Sequence, residues 1–210
     1  MMDWATISAL ITAAGTLVLA VATFASVRSA NRSARIAERA LQVGLRPLLM
    51  PSRLEDPAQK IRWVDEHWAR VEGGRASVEM AEGNIYLAMS VRNAGNGIAV
   101  LQAWHIDAEL MPAGQPPPER DQFRPHTRDL YIPAGDTGFW QAALRDPNDV
   151  LYPALLDVIQ RRQTFTIDVL YGDHEGGQRT ISRFSIAPAR DAQWLCSVVR
   201  HWNLDRPDPR

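Results

Sequence analysis

Three groups of side chains have types and spacings that chemistry could use. His105, Asp107 and Glu109 alternate along a strand-like segment and so project from one face, and imidazole and carboxylate are groups that a divalent metal accepts. Same-face neighbours stand ~6.6 Å apart, so a metal there needs further ligands from elsewhere. Three polar residues are also what the wet side of a half-buried strand carries, and that is the expectation here. Asp173, His174 and Glu175 could act as an acid–base group, but they run into Gly176 and Gly177 and read as an ordinary turn. Cys196 lies among Trp194, Leu195, Val198 and Val199, with no CxxC partner, and reads as a core thiol despite His201 nearby. GxSxG, P-loop, HExxH and GxGxxG patterns are absent from the sequence. No catalytic, cofactor-binding or metal site is assigned, and no cofactor is expected.

The elements that carry these groups are mostly strands. Ile85, Leu87, Met89 and Val91 alternate with Tyr86, Ala88, Ser90 and Arg92; Phe165, Ile167, Val169 and Tyr171 alternate with Thr166 and Asp168; Trp104, Ile106, Ala108 and Leu110 alternate with the His105 face. Residues 48–54 read as an entry strand, and residues 130–132 and 138–144 as two more. Residues 63–71 and 76–80 read as a hairpin around Glu72-Gly73-Gly74, and residues 173–177 as the turn of another, leading into a strand over 178–186. Six prolines and glycines make residues 111–128 a loop. Helical spacing appears over 149–162, capped by Asn148 or Asp149, and over 192–202. Many short strands with turns between them predict an antiparallel β-sandwich over residues 47–210, with one or two added helices.

An apolar helix precedes this domain. Residues 5–27 contain no charged side chain, a length that spans a bilayer core of ~30 Å as a helix. A cleaved secretory signal and a buried soluble helix are the rivals. Ala20-Val21-Ala22 resembles a cleavage site, but Asp3 stands where a signal wants positive charge. Arg28, Arg32, Arg35 and Arg39 follow on one face of a basic juxtamembrane helix over residues 28–46, which stops at Gly44 with Pro47 beyond. These arginines are the membrane-surface residues, attracted to anionic lipid, although 22 of the 23 basic residues in this chain are Arg in any case. Their excess after the span predicts a single-pass protein of the inner membrane, with the N-terminus outside and the domain in the cytosol. Ser8, Thr12, Gly15 and Thr16 form a small-residue face suited to helix association.

The segment Val91-Arg92-Asn93-Ala94-Gly95-Asn96-Gly97 resembles the V-x-N-x-G turn of immunoglobulin-like bacterial sandwich domains. With the anchor, the Arg46-Pro47 entry strand and the Tyr171-Gly172-Asp173 hairpin, the layout is similar to a loose group of uncharacterised single-pass bacterial membrane proteins. That resemblance implies an immunoglobulin-like, mainly β fold and carries no activity.

Residues 51–210 carry 18 basic and 22 acidic groups, a mildly acidic balance that disfavours nucleic acid as a partner. Of seven tryptophans, Trp63, Trp68 and Trp202 have charged neighbours and are interface candidates. The expected function is a membrane-anchored interaction or accessory domain, contacting membrane lipid and binding a protein partner or itself without catalysis. A membrane-tethered hydrolase or metal-dependent enzyme, and an accessory subunit of a membrane complex, are the alternatives.

Overall fold

A computed structural model describes residues 3–190 and 193–207. The chain forms two compact units, Met1–Gly44 and Leu45–Arg210.

The first unit is one helix, α1 (Trp4–Gly44), uninterrupted by proline over its 41 residues. At 1.5 Å per residue it is roughly 60 Å long, about twice a bilayer core. Three of its hydroxyls are satisfied inside the helix: Thr12, Thr16 and Thr23 donate to the carbonyls of Ser8, Thr12 and Leu19 at 2.8–2.9 Å. A span so arranged leaves lipid no unpaired hydroxyl donor at these positions.

The second unit is mainly β. A nine-stranded antiparallel sheet contains β1 (Leu49–Pro51), β4 (Arg75–Ala81), β5 (Asn84–Asn93), β6 (Ala99–Asp107), β7 (Arg124–Ile132), β8 (Thr137–Leu144), β9 (Phe165–Gly172), β10 (Thr180–Pro188) and β11 (Trp194–Asn203). A separate hairpin joins β2 (Gln59–Arg62) to β3 (Trp68–Val71). The large sheet runs β8-β5-β4-β11-β10-β9-β6-β7, with β1 beside the end of β5, and it curls so that its inner face surrounds one core. The opposed layers of the expected sandwich are therefore parts of one continuous sheet. Met89, Val91, Leu101, Trp140, Phe165, Val169 and Phe184 meet inside it, and α2 (Leu151–Gln160) adds Tyr152, Leu155 and Val158. Asp149 accepts the Leu151 N–H at 2.9 Å at the start of α2.

Both faces of β5 are buried. Its inner residues join the main core, while Tyr86 and Ala88 on the outer face pack beneath the hairpin residues Ile61, Trp63, Ala69 and Val71. Strand β9 is likewise buried on both faces from Phe165 to Val169.

Three expectations of local structure are corrected. Residues 194–203 form strand β11, not a helix: alternation of Trp194, Cys196 and Val198 against β10 overrides a helical spacing carried by few residues. The hairpin over 63–80 does not form. The chain turns instead at 63–67, where Glu66 has φ 64°, and β4 pairs with β5. Gly73 marks a close crossing rather than a hairpin tip, since a Cβ there would stand 2.0 Å from the Arg53 carbonyl oxygen. Strand β7 begins at Arg124, inside the expected loop; Pro125 is compatible because β7 ends the sheet.

Asn93 ties the domain together. Its carboxamide oxygen accepts the N–H groups of Leu48 and Gly95 at 3.1 and 3.0 Å, and its nitrogen donates to the carbonyls of Gly97 and Ile132 at 2.6 and 3.0 Å. Its backbone N–H donates to Asp136 O and its carbonyl accepts from Gly135, each at 2.9 Å. Replacing Asn93 with Ala should lower unfolding free energy by roughly 3 kcal/mol or more, because several buried backbone groups lose their partner. Urea denaturation with an unchanged slope would measure it; a shift within error would show that water replaces the side chain.

Candidate functional site

On α1, the most apolar window has no buried residue, and Leu10, Ile11, Leu17, Val18, Leu19, Val21, Phe24 and Val27 are all exposed. The helix is long and apolar enough to cross a membrane. Arg28, Arg32 and Arg35 are exposed on the continuing helix, while the side chain of Arg39 lies outside the described residues. Ser8, Thr12, Gly15 and Thr16 are exposed too, and open space surrounds the Gly15 Cα.

The groups with chemical potential are engaged in structure. His105, Asp107 and Asp168 bring ligand-type atoms within 4.8 Å of one another, so Asp168 of β9 completes the cluster in place of the exposed Glu109. Asp168 is fully buried, and both its oxygens accept from Arg183, from Nε and Nη2 at 2.9 Å each. Burial raises the affinity of the Asp168 carboxyl for its proton, and Arg183 opposes that. The guanidinium also donates to the carbonyls of Pro112, Gln115 and Pro116 and lies 4.8 Å from the Trp202 ring centre. A cation at this cluster would have to displace an arginine held on all sides. The arrangement straps the proline-rich segment over the sheet.

The other candidates are similarly occupied. Asp173 caps its turn by accepting the Gly177 N–H at 2.7 Å, leaving His174 and Glu175 in solvent. Cys196 packs its sulfur 3.6 Å from that of Met89, and burial pushes its thiol pKa up. His201 contacts the Ser182 hydroxyl at 2.6 Å instead of joining the thiol in a dyad.

Two interface candidates are core residues. Trp63 is 4% exposed and donates from Nε1 to the Ala142 carbonyl at 3.1 Å; Trp202 is 8% exposed beneath Arg183 and Arg200. Only Trp68 of the three is exposed, with Arg62 over its ring. Charged neighbours in sequence misled here, because Arg183 and Arg200 cover the Trp202 indole while the hairpin cluster encloses that of Trp63.

A feature absent from the sequence reading lies between β7 and β8. These strands are the two ends of the curled sheet, and among the described residues neither has a strand on its outer side. Strand β7 pairs with β6 through Leu130 and again from Pro125, so residues 126–129 bulge away from it. The cleft has a volume of about 190 Å³ and is lined in part by Trp63, Trp104, His126, Arg128, Gln141 and Arg145. His126 Nε2 and Gln141 Oε1 are buried there without hydrogen-bond partners. The signal that could have located it is Pro125: a proline in an alternating segment marks a sheet edge, and edges bound clefts.

Burial holds the His126 imidazole down to about 4, and the charge of Arg128 adds to the effect. A histidine neutral in the folded chain but titrating near 6.5 when unfolded makes stability fall as pH drops from about 6.5 to about 4, with no contribution above. Urea midpoints at pH 7.5, 5.5 and 4.5 should decline, and His126→Leu should decline less. Parallel declines would assign the acid sensitivity to other groups.

No family model matches this chain, and no curated protein matches it. A solved structure described as the crystal structure of a protein from Archaeoglobus fulgidus is similar at 12% identity and a TM-score of 0.26, covering 63% of this chain and 94% of that one.

Proposed function

We propose that this protein is a membrane-anchored interaction module. α1 crosses the inner membrane once, and residues 47–210 form a cytosolic domain that binds a protein partner or a second copy without catalysing a reaction. The observation that carries this reading is the unburied apolar window of α1: burying about eight large side chains in lipid recovers on the order of 1.5 kcal/mol or more each, which the chain itself does not supply. Arg28, Arg32 and Arg35 directly after the span favour a cytosolic flank beside anionic head groups. The consumption of Asp168, Asp173 and Cys196 in ion pair, turn and core speaks against a hydrolase built on them.

On the helix, the Ser8, Thr12, Gly15, Thr16 face is the association surface. Its hydroxyls are already paired within the helix where they are resolved, so approach of a second helix costs them no partner.

A reporter active only in the cytosol, fused after Arg210, should give signal in cells, and one active only outside should stay dark. The opposite pattern would reverse the orientation. Recovery of the chain in the soluble fraction would overturn the anchor. Changing Thr12 and Gly15 together to Leu should reduce crosslinking between copies at least severalfold, because bulk blocks close backbone approach. Equal yields would move the contact to the domain.

A further inference from the structure

We propose that the cleft between β7 and β8 is a binding site for a small organic acid carrying one ring. The inference is independent of the anchor. The cleft volume of about 190 Å³ is well below that of a drug-sized pocket but above the ~150 Å³ that accommodates benzene in an apolar cavity. A single ring with a short substituent fills it. The indoles of Trp63 and Trp104, themselves nearly buried, form part of the wall against which a ring stacks.

Charge decides the substituent. Among the described residues that line the cleft there are two guanidinium groups, Arg128 and Arg145, and no carboxylate. Arg145 is committed, donating from Nε to Asp65 at 2.8 Å just outside the lining. Arg128 is exposed, and its charge opposes protonation of the neighbouring His126, so the guanidinium is available to an anion. A carboxylate at the mouth gains the charge-assisted bond that a planar guanidinium makes with it. His126 and Gln141 add polar lining, their Nε2 and Oε1 atoms buried behind the cleft surface without hydrogen-bond partners.

At the break in the β6–β7 ladder, residues 126–129 leave the pairing and His126 of the cleft wall comes to lie with its ring centre 6.5 Å from that of Trp140.

The test uses the full chain in lipid nanodiscs with phenylacetate as probe, read by ligand-observed NMR and by tryptophan fluorescence. Saturable binding is expected with a dissociation constant on the order of 1 mM, the range for so few atoms. Benzyl alcohol and benzylamine, which keep the ring and lose the negative charge, should bind at least about tenfold more weakly. Arg128→Gln should weaken phenylacetate about tenfold while leaving benzyl alcohol and the melting temperature unchanged. Gln141→Leu provides a second variant, expected to weaken all three probes. Absence of saturable phenylacetate binding would overturn the proposal. So would equal affinity for acid and alcohol, or an affinity indifferent to Arg128→Gln.

Discussion

The rest of the domain depends on where the carboxamide of Asn93 is held. One side chain with no solvent exposure offers two acceptor and two donor positions, and the entry segment, the turn after β5 and the end of β7 fill all four. These segments lie far apart in sequence. Bringing them to one point requires the backbone to approach closely: a Cβ on Gly95 would stand 2.2 Å from Arg46 O, and one on Gly97 1.7 Å from Leu45 O. The two glycines are thus needed for clearance. Polar pairing of this kind is directional in a way that apolar packing is not, so it fixes register where the core only favours burial.

The same knot determines why β7 and β8 do not pair. Four residues join them, short enough for a hairpin. Yet Gly135 and Asp136 of that connection bond to the Asn93 backbone, so the turn docks on β5 and sends β8 along it, from Thr137 opposite Arg92 to Leu144 opposite Ile85. Strand β7 meanwhile follows β6 on the other layer. Closure into a barrel is given up for a fixed corner.

Much of this was legible in sequence. The long apolar helix, its stop at Gly44, the alternation of β5, β6 and β9, the 173–177 turn and α2 all come from local patterns whose period matches the structure formed. The role of the V-x-N-x-G segment as a turn was visible; its partners were not, because they lie 40 or so residues away on either side. Errors cluster where a local pattern was ambiguous and a tertiary contact decided: the strand at 194–203 owes its form to pairing with β10, and the fate of Trp63 and Trp202 to covering elements. Outer strand faces were read as wet because alternation says which residues share a side, not what covers that side. The hairpin and the proline-rich segment cover both.

The covered outer face also explains the cost of the buried Asp168–Arg183 ion pair. Taking Asp168 and Arg183 out of water is unfavourable unless the remaining donors are satisfied, and a well-packed apolar pair would serve stability equally well. What an apolar pair could not do is bind three backbone carbonyls of a segment too rich in proline to form a strand of its own. Pro112, Gln115 and Pro116 present acceptors without a ladder to receive them, and a guanidinium fixed by a carboxylate is a donor array that needs none. The charge pair is therefore a means of docking irregular chain on a sheet, and its placement beneath that segment follows from the segment's composition.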